Sequence, residues 1–132
     1  MPGSQPKDSR PAPRVVLVED DRDLARAICA AVEAEGFAIV HLGNGEAGLE
    51  YLSNSAPPLL ILLDLSMPVV NGWEFRRRQT QDPRIANVPV IVMSAHQTGV
   101  LADAAGVSFY LKKPFAIDTL LGYIRRLANR AR

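Results

Sequence analysis

The sequence predicts an α/β domain: one parallel sheet with helices on both faces. Three observations carry that expectation. Short apolar runs alternate with stretches of helical period five times along the chain. The runs are continuous rather than alternating in polarity, as strands covered on both faces require. The connections between them are short, which favours neighbouring elements over separate domains.

Composition sets the outer bounds. At 132 residues, with 48% apolar and 22% charged residues, the chain suits one ordinary globular domain. A net charge of +1 argues against broad electrostatic attraction to nucleic acid or to an anionic membrane. No apolar run approaches the roughly 20 residues that span a bilayer, and no secretory signal opens the chain. A soluble, cytoplasmic protein is the expectation. The single Cys29 excludes an internal disulfide, and its helical neighbours predict a buried, inert thiol.

Taken in order, residues 1–13 hold four of the ten prolines with Gly, Ser and charges, so a flexible tail is expected there. The ordered domain is expected over 14–130. Val15 to Val18 is a β-branched first strand that stops at Glu19, Asp20 and Asp21. From Asp21 to Glu35 the residues Leu24, Ile28, Ala31, Val32 and Glu35 step by three and four, giving a first helix that closes before Gly36. Phe37 to Leu42 reads as a second strand, with His41 near its end taken as a surface residue without a function. A short second helix begins at Asn44 and ends before Pro57.

The stretch from Leu59 to Gly72 is the third strand and its exit. One acid, Asp64, stands in it. Burying a carboxylate is costly unless it has partners. Alone, this stretch leaves open a functional group at the strand's end or a cap on the turn that follows. Gly72 to about Thr80 forms a third helix anchored by Trp73 and Phe75, with Arg76, Arg77 and Arg78 as a solvated cationic end. Val88 to Met93 is the fourth strand, stopping at Ser94. Gln97 to Ala105 gives a short fourth helix, Val107 to Leu111 the fifth strand. A fifth helix over 116–129 places Leu120, Leu121, Ile124, Leu127 and Ala128 on one face.

Parallel strands share one carboxyl edge, where open α/β sheets bind ligands. On that edge the chain puts Glu19 and Asp20, Asp64, Ser94 and Lys113. Two unit charges about 4 Å apart repel by roughly 4 kcal/mol at an effective dielectric of about 20. Three converging carboxylates therefore need a cation, and hard oxygen ligands suit Mg²⁺. A metal beside a free carboxylate, with a hydroxyl and an ammonium opposite, suits phosphoryl transfer onto Asp64.

The motifs VVLVEDD, LLILLDLSMPVVNG, VIVMSA and YLKKPF, in that order and spacing, resemble the receiver domains of two-component response regulators. The likeness runs from about Arg14 to Asn129. It implies a flavodoxin-like doubly wound sheet of strand order 2-1-3-4-5, flanked by five helices. It further implies that Asp64 accepts a phosphoryl group from a phosphohistidine of a sensor kinase or phosphotransfer protein. By position, Glu19 and Asp20 resemble the acidic pair, with Asp20 the direct Mg²⁺ ligand and Glu19 acting largely through water, and Ser66 would add its backbone carbonyl. Ser94 resembles the switch hydroxyl, Lys113 the phosphate-binding lysine with a cis bond to Pro114, and Tyr110 the aromatic that rotates inward. A downstream protein would read the face of the fourth helix, fifth strand and fifth helix. Such a domain is a signalling phosphoacceptor rather than an enzyme.

Three features depart from the family pattern. Ser94 stands where threonine is commoner, Pro57–Pro58 replaces proline–aspartate, and the segment from Ser94 to Lys113 is about one turn short, which shortens the fourth helix. His96, two residues past Ser94, is a candidate for tuning the acyl phosphate's lifetime; an exposed loop histidine with no role is the alternative. For Tyr110 the alternative is a static packing aromatic. No output domain is expected, so the chain would act by protein contact or relay. Two further readings compete: a degenerate receiver serving as a binding module, and an aspartyl phosphohydrolase. The latter would want an acid where Ser66 stands.

Overall fold

The computed structural model describes residues 12–67, 70–95 and 106–130. His96, the expected helix over 97–105 and nearly all of the expected tail lie outside the described residues. Five strands form one sheet in the order β2-β1-β3-β4-β5. They are β1 (Arg14–Val18), β2 (Ala38–Leu42), β3 (Leu60–Asp64), β4 (Val90–Ser94) and β5 (Phe109–Lys112). Every pairing is parallel. The doubly wound class and its strand order are as expected.

Alternation along each strand splits the core into two layers, because successive side chains leave opposite faces of the sheet. Val15, Leu17, Leu62, Ile91 and Met93 face one way, packed with α1 (Arg22–Ala34) and the C-terminal helix α4 (Ile117–Arg130). Val16, Val18, Ile61, Leu63 and Val92 face the other, against α2 (Gly45–Ser53) and α3 (Gly72–Thr80). The central strands β3 and β4 are buried along their whole length, whereas the edge strands β2 and β5 are partly open. Continuous apolar runs thus mark the sheet's centre.

Local chemistry sets the helix ends. Asp21, Asn44 and Asn71 are N-caps in extended conformation, each accepting from the backbone N–H three residues on. Gly36, at φ 94°, ends α1 in a left-handed conformation open to glycine at little cost. The five apolar residues expected on one face of α4 are all buried. The arginines closing α3 are engaged locally: Arg77 and Arg78 both pair with Glu74, at 2.6 and 2.8 Å. Gln79, fully buried, donates to the carbonyls of Ile85 and Val88 and so pins the approach to β4.

Some expectations need correction. Strand β2 starts at Ala38, one residue later than expected, and His41 within it is exposed as expected. Cys29 is half-buried, not enclosed. Glu35, counted in the apolar stripe of α1, is exposed and pairs with Arg125 at 2.7 Å, because α1 and α4 lie side by side on the sheet. Phe75 is fully buried while Trp73 is only partly so.

Candidate phosphoryl and metal site

The carboxyl edge of the sheet gathers the expected residues because β1, β3, β4 and β5 are consecutive neighbours. Strand β1 delivers Glu19 and Asp20 just past Val18, and β3 ends on Asp64. Asp64 is in register with Met93, and Ser94 with Lys112, so Ser94 and Lys113 come to the same edge. The Lys113 N–H donates to the Ser94 carbonyl at 2.7 Å, locking the end of β5 to the end of β4. The Lys113–Pro114 bond is cis. The order reverses between β2 and β3 around β1, which opens a crevice over β1 and β3.

Carboxylate oxygens of Glu19, Asp20 and Asp64 lie within 4.8 Å of one another. Glu19 and Asp64 are buried, whereas Asp20 is exposed. The Lys113 ammonium stands between the two buried acids, 2.9 Å from Glu19 Oε1 and 3.4 Å from Asp64 Oδ2. The other oxygens are held by backbone: the Asp21 N–H donates to Glu19 Oε2 at 3.1 Å, and the Ser66 N–H to Asp64 Oδ1 at 2.9 Å. The nucleophile candidate is therefore fixed from two sides, and Asp20 remains the solvent-facing acid.

Electrostatics follow from this packing. Burial pushes the Glu19 carboxyl from its ordinary 4.5 up to about 7; hydrogen bonds from Lys113 and the Asp21 backbone pull it back, and neighbouring Asp64 adds to the rise. For Lys113, burial alone would favour the neutral amine, but Glu19 and Asp64 outweigh it, and the ammonium is held above its ordinary range. Among the described residues three carboxylates gather here, and the Lys113 ammonium pairs with two of them. That excess of hard oxygen donors, with one acid open to solvent, fits a divalent cation that keeps some of its waters, as Mg²⁺ does.

The remaining candidates are placed as follows. Ser94 is buried at the end of β4. Tyr110, on β5, is half-buried against the layer that holds α2 and α3. Ser66 is exposed two residues past Asp64. Two features escaped the sequence reading. Glu19, expected to act largely through water at the metal, pairs directly with Lys113 across 94 residues of chain. His41, assigned no role, places its ring Nε2 2.8 Å from the Glu19 carbonyl oxygen. Spacing carries no signal for either contact, since both depend on which strands are neighbours.

Comparisons with known proteins agree with this geometry. The family model of the response regulator receiver domain matches residues 15–125. The response regulator receiver protein CpdR of Brucella abortus is 32% identical over 115 residues, covering 86% of this chain and 95% of that protein. The DNA-binding dual master transcriptional regulator RpaA of Synechocystis is 30% identical over 121 residues, covering 89% of this chain and 50% of that one. The chain spans about half the length of several such curated relatives. Among solved structures, the signal receiver domain of a Luxo repressor protein from Vibrio parahaemolyticus superposes with a TM-score of 0.82 at 32% identity, covering 91% of this chain and 92% of that one. The chemotaxis protein CheY4 of Vibrio cholerae superposes at 0.80 with 21% identity, covering 88% and 98%, and so speaks for the fold alone. With the family model covering the sheet and its acidic edge, this chain belongs to the response regulator receiver domain family.

Proposed function

We propose that Asp64 accepts a phosphoryl group from a phosphohistidine on a sensor kinase or phosphotransfer protein, with Mg²⁺ held by Glu19, Asp20, Asp64 and the Ser66 backbone carbonyl. The observation that carries this reading is the convergence of three carboxylates within 4.8 Å of one another, two of them paired with the Lys113 ammonium. When bound, Mg²⁺ supplies Lewis-acid stabilisation of the charge on the transferring oxygens. Everything else is done by the chain's own groups. The Ser66 N–H orients the Asp64 carboxylate by holding Oδ1. The Asp64 oxygen forms the new O–P bond as the donor's P–N bond breaks, and the donor imidazole leaves with the electron pair and takes a proton. Lys113, displaced from its pairing with Glu19 and Asp64, neutralises the equatorial oxygens.

The product carries about −1.5 to −2 charges and three strong acceptors at Asp64. Ser94 and Lys113 are drawn to that charge, and Tyr110 turns into the space left near β4. The altered face of β5 and α4, with the segment that precedes β5, is what a downstream protein reads.

Intact-mass measurement after incubation with Mg²⁺ and a small acyl phosphate tests the reading. The expected result is one added phosphoryl group, absent in Asp64→Asn and absent with chelator. No adduct with any donor, together with no Mg²⁺ binding, would sink it in favour of a phosphorylation-independent binding module.

A further inference from the structure

We propose that His41 is a positioning residue for the acidic loop: its ring holds the peptide that joins Glu19 to Asp20. The inference rests on the reading of those two acids as metal ligands. Strand β2 is an edge strand paired only with β1, with Val18 in register with Leu42. The Glu19 N–H donates to the Leu42 carbonyl at 3.1 Å. Beyond Leu42 the chain leaves the sheet for the Asn44 cap of α2. The Glu19 carbonyl is met instead by His41 Nε2 at 2.8 Å. A carbonyl oxygen can only accept, so Nε2 carries the proton.

The bonded oxygen belongs to the planar unit linking Glu19 to Asp20. Fixing that oxygen fixes the plane, and the plane sets the direction in which the Asp20 Cα leaves. Glu19 is thereby held at its N–H, its carbonyl and both carboxylate oxygens. Asp20, exposed, depends on the peptide before it for its direction. The His41 ring acts from outside the core, on the wall of a cleft it shares with Arg22, Ala25, Arg26, Cys29 and Gly43. His41 is exposed, so His41→Leu and His41→Gln should both fold.

Two measurements on the full chain test the proposal. In metal-free ¹⁵N-labelled protein, long-range spectra of the neutral imidazole should show His41 protonated on Nε2. His41→Leu should shift the Asp20 and Asp21 amides, and His41→Gln, whose amide can donate, should return them toward wild type. Calorimetric titration with MgCl₂ should give binding about three- to tenfold weaker for His41→Leu, the equivalent of one net hydrogen bond, with most of the loss recovered in His41→Gln. Protonation on Nδ1 with unmoved Asp20 and Asp21 amides would overturn the proposal. So would wild-type Mg²⁺ affinity in His41→Leu, or a His41→Gln variant as weak as His41→Leu. If wild type itself binds no Mg²⁺, the metal reading fails, and the metal-free spectra still decide whether His41 holds the peptide.

Discussion

Replacing Glu19 by Gln removes a proton-binding site while keeping an acceptor for Lys113. Glu19 is fully buried, and burial raises its carboxyl from 4.5 to about 7 against the opposing pull of Lys113 and the Asp21 N–H. The unfolded chain gives up that proton near its ordinary pKa. Between the two values the metal-free folded protein therefore holds a proton that the unfolded chain lacks. The sign follows: this contribution to stability is fully present below 4.5 and is lost as pH rises through about 7. A displacement of that size corresponds to about 3 kcal/mol at most.

Other shifted groups act outside this window. Lys113 is raised from 10.5, so its effect changes only in alkali. Glu35 and Glu74 are lowered by their arginines, so theirs is lost only as pH falls below 4.5. Urea denaturation in chelator, at about pH 4.5 and about pH 8, reads the difference directly. Wild type should lose up to about 3 kcal/mol relative to Glu19→Gln between the two pH values. A gap between the two proteins that is the same at both would refute the assignment of this titration to Glu19.

Two glycines in helices should respond oppositely to alanine. At Gly72 an added Cβ would stand 2.5 Å from the Leu65 Cα and 3.0 Å from the Asp64 carbonyl oxygen, so Gly72→Ala should cost about 1–3 kcal/mol and slow phosphoryl acceptance at Asp64, read by denaturation and intact mass. At Gly122, in the middle of α4, nothing among the described residues beyond the helix's own backbone and its chain neighbours lies within 4 Å of the new atom, and Gly122→Ala should stabilise by about 0.5–1 kcal/mol without changing acceptance. Asn71→Ala removes the cap that accepts the Glu74 N–H at 3.0 Å and should lower stability by about 1 kcal/mol in the same urea assay.

Much of the fold was legible because its signals are local. Continuous apolar runs gave the buried strands, steps of three and four gave the helices, and Asp21, Asn44 and Asn71 marked where helices start. Errors fell where neighbours across the fold decide exposure. Glu35 fits the helical stripe by spacing alone, yet Arg125 on α4 draws it outward into an ion pair. His41 was placed at the surface correctly but given no role, because its bond lies 22 residues away along the chain.

For the site, the sequence by itself determined which polar side chains interrupt or end the strands, because parallel strands put their carboxyl ends on one edge. That was enough to name Glu19, Asp20, Asp64, Ser94 and Lys113 as candidates. Only the tertiary structure decided how they divide. Strand order sets Lys113 against both Glu19 and Asp64, burial raises Glu19 while leaving Asp20 in solvent, and β2 brings His41 to the peptide between the two acids. Those outcomes turn on distances and desolvation between segments far apart in the chain, quantities that residue spacing does not encode.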